Sequence, residues 1–307
     1  MKIWTDVALD GPSLGWLQAQ VAPHELVVAE PDTPVYLAGD RPDLACRTAD
    51  IAFGQPSVSD VIESETLKWI HITSAGYTRL DRDDVRAALA ARGCVMTNSS
   101  SVYADPCAQH VLALMLAHNR RIYSSLCKKT WTYGELRPTM RILRGDKVLI
   151  LGHGAIARRL IALLDPFGVE IRTYRRNPKS DARDDLPWAE WVINTLPLSD
   201  ATTGIVSRKW FEWMRPGSVF VNIGRGDTVD QAALIDALRI GHLSAAYLDV
   251  VTPEPLPDDH PLWSVPNCFI TPHVGGGQQD ERTAVLDHFV GNLRRFSHGE
   301  PLSDAVR

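Results

Sequence analysis

Apolar residues along the first hundred positions gather in short β-rich runs set between helical patterns. Lys2 to Thr5, Leu26 to Val28, Val35 to Ala38, Ile51 to Phe53, Trp69 to Ile72 and Val95 to Thr97 read as strands. Strands that alternate with helices predict a parallel sheet. The clearest helix between two of them spans Asp83 to Arg92, with Val85, Ala88 and Leu89 on its apolar face and Gly93 to end it. From about Asp105, an N-cap residue followed by Pro106 at the first helical position, a long helix is predicted through Val111-Leu112-Ala113-Leu114-Met115-Leu116 toward Arg121. It is apolar on nearly all sides, which predicts a buried helix that bridges two domains or packs on a second subunit. Lys128 to Arg144, rich in Thr, Gly, Pro and Trp, reads as an irregular connector or covering loop.

A second βαβ series begins at Lys147. Its strands are Val148 to Leu151, Glu170 to Tyr174, Trp191 to Leu196, Ser218 to Ile223, Ala245 to Val250 and Cys268 to Thr271, with a closing helix over Ala284 to Arg295. The fold class is therefore α/β with two parallel-sheet domains. The 307 residues suffice for two cores, and 45% hydrophobic with 22% charged residues is an ordinary globular composition. A net charge of -5 with scattered Lys and Arg argues against nucleic-acid binding. Five cysteines, widely spaced and without a C-x-x-C, suggest neither a disulfide framework nor a zinc site, and fit a reducing cytosol. The first residues reach Asp6 without an apolar core, and no run approaches a membrane span of roughly 20 apolar residues. The expected location is cytoplasmic, with no membrane partner and no metal.

Chemistry concentrates where the second series turns. After Val148 to Leu151 comes Gly152-His153-Gly154-Ala155-Ile156-Ala157 and then a helix. In this strand, loop and helix order Gly152 makes the tight turn, Gly154 admits a pyrophosphate, and Ala157 lets helix and strand pack closely. The amides of Ala155 and Ile156 would face the phosphates at the positive end of the helix. Past the next strand, where an acid would bind the ribose 2′-hydroxyl of NAD, the chain reads Tyr174-Arg175-Arg176. Two guanidiniums favour a phosphate monoester there, so NADP(H) is the preferred cofactor and NAD(H) the second.

Three strand ends carry the catalytic candidates. Gly224-Arg225-Gly226 follows one buried strand, Asp249 and Glu254 follow the next, and Thr271-Pro272-His273-Val274-Gly275-Gly276 follows the last. Carboxyl edges of parallel strands are where ligands bind. Arg225 offers a planar fork to the carboxylate of an oxo acid, His273 a proton to its carbonyl oxygen, and Glu254 a partner that keeps the imidazole charged. Asp249 is expected to make a cofactor or structural contact.

The glycine loop, Leu196-Pro197-Leu198, Met214-Arg215-Pro216-Gly217, the Arg225 segment, Leu248-Asp249-Val250 through Glu254-Pro255-Leu256-Pro257, His260-Pro261-Leu262-Trp263 and the His273 segment together resemble the D-isomer-specific 2-hydroxyacid dehydrogenases over nearly the whole chain. The resemblance implies a flavodoxin-like substrate domain, residues 1–98 with 280–307, and an inserted Rossmann dinucleotide-binding domain, residues 99–279. It also implies a homodimer built around the long helix, a cofactor contact at Leu196 and Pro197, and a substrate carboxylate held by the backbone of Ser74, Ala75 and Gly76. Paired arginines after the second strand look like the NADP-preferring glyoxylate and hydroxypyruvate reductases, which act on small 2-oxo acids. The chain departs from the family pattern at Thr78, where Asp is usual, at Gln109, where Glu is common, and at Thr195, where His often stands. Formate dehydrogenases pair the histidine with Gln, which Glu254 argues against. A phosphite dehydrogenase and a nucleotide-sensing corepressor of the same fold stay open as alternatives.

Overall fold

The computed structural model describes residues 1–29, 41–128, 130–131, 133–174 and 182–306. The chain divides into two compact units, Met1–Tyr103 with Gln278–Arg307, and Ala104–Gly277. The strand expected at Val35 to Ala38 lies outside the described residues.

In the first unit, β1 (Lys2–Thr5), β2 (Glu25–Val28), β3 (Ile51–Gly54), β4 (Trp69–Ile72) and β5 (Val95–Thr97) form one parallel sheet in the order β2-β1-β3-β4-β5. That is the flavodoxin-like order. Strands β3 and β4 are buried along their whole length, as parallel strands covered on both faces must be. Helices α1 (Gly11–Val21), α2 (Leu44–Arg47), α3 (Val58–Glu63) and α4 (Asp83–Ala91) alternate with the strands. Local chemistry sets their ends: Asp10 accepts from the Ser13 amide at 2.8 Å to cap α1, and Gly93, at φ +64°, follows α4. Trp4, Ile70, Ile72, Val85 and Leu89 share one core on one side. On the other side Phe289, from the last helix of the chain, stacks on Phe53 with ring centroids 4.0 Å apart.

Helix α5 runs Ser100–Asn119, six residues longer at its start than the Asp105 cap and Pro106 start implied. Pro106 therefore lies inside it and removes the amide that would bond to the Val102 carbonyl. The Gln278 side chain donates to that carbonyl instead, at 3.3 Å. Arg121, in the left-handed region at φ +52°, breaks the helix, and α6 (Ile122–Cys127) and α7 (Tyr133–Leu136) follow. The connector expected to be irregular thus holds a short helix and a 3-10 turn at Arg137–Thr139.

The second unit is a Rossmann sheet of β6 (Lys147–Leu151), β7 (Glu170–Tyr174), β8 (Trp191–Asn194), β9 (Val219–Asn222), β10 (Ala245–Leu248) and β11 (Cys268–Ile270), in the order β11-β10-β9-β8-β6-β7. All pairs are parallel. The order reverses around β6, which pairs with both β7 and β8, and such a switch point opens a crevice at the carboxyl edge. Helix α8 (Ala155–Leu164) presents Ala157, Leu160 and Leu164 inward, spaced for one helical face. Helices α9 (Arg208–Trp213) and α10 (Gln231–Arg239) cover the sheet, with Leu234, Leu238, Phe211 and Phe220 in the core. Helix α11 (Glu281–Ser297) belongs to the first unit. Among the described residues no helix is long and apolar enough to cross a membrane.

Candidate active site

The glycine loop is built as its residues require. Gly152 sits at φ +105°, and a Cβ there would meet Thr195 Oγ1 at 2.7 Å. Thr195 donates to the Leu151 carbonyl at 2.8 Å, so the residue that stands where the family often has histidine props the loop from below. Gly154 begins α8, and the space a Cβ would occupy is empty to 4 Å. No side chain caps the helix, and the first-turn amides of Ala155 and Ile156 have no acceptor among the described residues. Uncapped donors beside a cradle that a side chain would fill suit the pyrophosphate of a dinucleotide. Ala157 is fully buried, which closes helix on strand. Arg175 and Arg176 lie outside the described residues.

Beyond the loop, two buried amides organise the carboxyl edge. Asn194 at the end of β8 and Asn222 at the end of β9 are register partners, and Asn194 Nδ2 donates to Asn222 Oδ1 at 3.0 Å and to Thr228 Oγ1 at 2.7 Å. Asn194 Oδ1 accepts from the Leu196 amide at 3.2 Å, which sets the Leu196-Pro197 turn, with Leu196 buried and Pro197 exposed. Asn222 accepts from the Gly224 amide at 3.2 Å and donates to the Arg225 carbonyl at 3.1 Å. The ladder was invisible in sequence because Asn at a strand end reads as a turn residue. Only the pairing of two such residues in register reveals it.

The glycines around Arg225 are required by packing. A Cβ on Gly224 would meet the Leu196 carbonyl oxygen at 2.6 Å, and one on Gly226 the Val251 oxygen at 2.0 Å. Arg225 is half-buried; one guanidinium nitrogen donates to the Gly224 carbonyl at 2.7 Å, and the rest of the fork has no partner among the described residues. Burial holds the guanidinium below the usual arginine range, and the Glu254 carboxylate opposes that shift. An arginine so placed is a ready donor fork for a carboxylate.

From the next strand ends, His273 Nδ1 and Glu254 Oε2 lie 2.7 Å apart. The hydrogen bond to Glu254 raises the imidazole above its ordinary value, and it outweighs burial, which acts the other way. For Glu254 burial pushes upward, but His273, the Val251 amide and Arg225 together hold the carboxyl below its ordinary value. Half of the His273 side chain is exposed, so its other nitrogen is free to meet a ligand. The second Glu254 oxygen accepts from the Val251 amide at 3.0 Å, while Gln231 on α10 holds Thr252 from both sides, accepting from its amide at 3.0 Å and donating to its carbonyl.

Asp249, buried, supports the His273 segment from beneath. Its carboxylate accepts from Thr271 Oγ1 at 2.6 Å, the Val274 amide at 3.0 Å and the Gly275 amide at 2.9 Å. Close packing excludes any side chain at Gly275, whose Cβ would meet Ile223 Cδ1 at 2.5 Å and Asp249 Oδ2 at 2.7 Å. His273 itself lies in the left-handed region at φ +53°, a conformation that such pinning must sustain.

In the first unit, Ser74-Ala75-Gly76 follows β4 at the carboxyl edge of its sheet. Ser74 Oγ donates to the Gly76 carbonyl at 2.6 Å, and Asn98 Nδ2 to the Ala75 carbonyl at 2.7 Å. Gln55 Nε2 reaches Thr73 Oγ1 at 2.9 Å and Ser74 Oγ at 3.2 Å. With these carbonyls tied back, the Ala75 and Gly76 amides have no acceptor among the described residues, as a carboxylate-binding turn needs. Gln55 and Asn98 were not singled out in sequence, since an isolated amide carries no pattern. Thr78, the departure from the family's Asp, starts a 3-10 turn at Thr78–Leu80.

Residues 112–275 match the family model described as "D-isomer specific 2-hydroxyacid dehydrogenase, NAD binding domain". An uncharacterized protein of Corynebacterium melassecola is 32% identical over 274 residues, 85% of this chain and 89% of that protein. The glyoxylate reductase/hydroxypyruvate reductase of Homo sapiens is 30% identical over 257 residues, 78% of this chain and 77% of the human one. The structure of a D-isomer specific 2-hydroxyacid dehydrogenase from Xanthobacter autotrophicus Py2, in complex with NADPH and MES, superimposes with a TM-score of 0.79 at 28% identity, covering 100% of this chain and 98% of that one.

Proposed function

This chain belongs to the D-isomer specific 2-hydroxyacid dehydrogenase family, whose members are NAD(P)-dependent oxidoreductases, and from that premise we propose that it uses NADPH to reduce a small 2-oxo acid of the glyoxylate or hydroxypyruvate class to the D-2-hydroxy acid. The observation that carries the reading is the 2.7 Å pair of His273 and Glu254, set one strand from Arg225. A reduced nicotinamide bound in the second unit would supply the hydride. Arg225 binds the oxo acid through its open fork and draws charge toward the carbonyl oxygen. His273 gives its Nε2 proton to that oxygen, because Nδ1 is committed to Glu254. Glu254 stabilises the imidazolium before transfer, and afterwards keeps the remaining proton on Nδ1. The amides of Ala75 and Gly76, in the turn that begins at Ser74, hold the substrate carboxylate in the first unit, which is the substrate domain.

In the second unit Gly152, Gly154, Ala155 and Ile156 would hold the pyrophosphate, Leu196 and Pro197 would border the cofactor, and Asp249 supports the His273 segment from beneath. Arg175 and Arg176 supply the preference for a 2′-phosphate. The human relative is named for glyoxylate and hydroxypyruvate, and the Xanthobacter relative was crystallised with NADPH. A homodimer around α5 is supported by apolar side chains left open just after it, with Leu126 78% and Trp131 94% exposed. Five free cysteines accord with a cytoplasmic protein.

Steady-state assays with NADPH and NADH against glyoxylate, hydroxypyruvate, pyruvate and phenylpyruvate test the reading. Turnover of a small oxo acid is expected, and turnover confined to phosphite with the oxidised cofactor, or none at all, overturns it. Arg175→Ala combined with Arg176→Ala is expected to weaken NADPH binding by roughly one to two orders of magnitude while NADH binding stays within twofold. Equal weakening of both removes the arginines from cofactor choice.

A further inference from the structure

We propose that His110 is a positioning residue for the His273 segment, acting through Thr271 and Asp249. The proposal rests on the reading of His273 as proton donor. It arises from a second histidine beneath the first: on α5, His110 Nε2 lies 3.2 Å from Thr271 Oγ1 and 3.8 Å from Asp249 Oδ1. Nothing in the reduction itself uses this residue.

The direction of each hydrogen bond follows from a count of protons. Thr271 has a single hydroxyl proton, and its oxygen is 2.6 Å from a carboxylate that can only accept, so the proton points to Asp249. The hydroxyl oxygen is then an acceptor toward α5, and His110 must carry its proton on Nε2 and donate it. His110, Thr271 and Asp249 form a one-way chain of donors that ends on the carboxylate. That carboxylate also accepts the Val274 and Gly275 amides, and the Asp249 carbonyl accepts the His273 amide at 2.9 Å. Two consecutive amides just past His273 therefore hang on one buried carboxylate, and the His273 amide on the backbone of the same residue.

Orientation is the reason the chain matters. The Val274 amide holds one oxygen of the carboxylate and the Gly275 amide the other, and the Thr271 hydroxyl adds the shortest of the three bonds against rotation about the last side-chain bond. The His110 donor occupies a lone pair of the Thr271 oxygen and so holds that hydroxyl from a second direction. Cys107, one turn earlier on α5, is also buried, and burial pushes its thiol up to about 12, so it stays neutral and a weak donor. His110 is thus the strong donor that α5 sends toward the catalytic edge. An αL histidine needs such support, because its backbone conformation is unfavourable when unsupported.

Two substitutions separate the donor from the shape. His110→Phe keeps a ring without a donor, and is expected to lower kcat about tenfold, the loss of one hydrogen bond felt at the reacting group. KM for the oxo acid and Kd for NADPH are expected to stay within twofold. His110→Gln retains an N–H that can reach Thr271, and is expected to recover kcat to within threefold of wild type. Amide hydrogen exchange reads the same chain without catalysis: Val274 and Gly275 should exchange roughly fivefold to tenfold faster in His110→Phe, while Val221 in β9 does not change. Thr271→Val cuts the chain from the other end, carries the test if His110→Phe does not fold, and is expected to give the same split.

Wild-type kcat and wild-type exchange in these variants overturn the proposal, and so does equal loss in His110→Phe and His110→Gln. If the wild-type protein reduces no oxo acid, it is the reading of the site that fails. The exchange rates of Val274 and Gly275 then still decide whether His110 positions the segment.

Discussion

Exchanging His273 for asparagine is expected to lower kcat for oxo-acid reduction by about three orders of magnitude, within the roughly 10²–10⁴ that general acid catalysis supplies. Asparagine is the informative replacement because the position sits at φ +53°. Among residues other than glycine, Asn adopts that region readily, so the backbone is kept while the proton donor is lost. Kd for NADPH and the thermal midpoint are expected to stay near wild type, since the cofactor loop and the Asp249 contacts to Val274 and Gly275 are untouched. Single-turnover kinetics with saturating NADPH is the measurement. A kcat within tenfold of wild type removes His273 from the chemistry.

Glu254→Gln is the second large effect, and it has a sign that can be worked out. Reduction consumes a proton, so it requires imidazolium, and activity is lost as pH rises through the His273 value. Glu254 raises that value, chiefly through the 2.7 Å hydrogen bond. Glutamine keeps an oxygen for the Val251 amide but not the charge. The alkaline limb of kcat/KM is therefore expected to move to lower pH, with activity above neutrality falling by roughly one to two orders of magnitude. In the oxidative direction, where neutral imidazole is needed, the same variant should lose its requirement for high pH. An unshifted limb in both directions refutes the tuning role. Stability follows the pair as well: the His273 contribution is complete below about 6.5 and fades as pH rises through its raised value. The Glu254 contribution is complete above about 4.3 and fades as pH falls through its lowered value. Both side chains are at least a third exposed, so the effect on folding is small beside the effect on turnover.

What could be read from sequence was whatever repeats or alternates. The buried strands announced themselves as continuous apolar runs, and Gly152 to Ala157 had its flanking strand and helix. Arg225, Glu254 and His273 were legible because each lies in the segment after a strand of one parallel sheet, so their shared edge follows from topology. Less legible was anything decided across the fold. Pro106 signalled a helix start, yet the helix continues upstream because Gln278, 172 positions away in sequence, supplies the missing donor. The short helices α6 and α7 bury no residue and so have no apolar stripe to betray them. Gln55, Asn98, Asn194 and Asn222 act as isolated amides whose partners are remote.

The Asn194 and Asn222 ladder ties the Leu196 turn and the Arg225 segment to the same two buried side chains. The turn proposed for the cofactor and the fork proposed for the oxo acid are thus coupled through one hydrogen-bond network. A change at either amide is therefore expected to move the Leu196 turn and the Arg225 segment together.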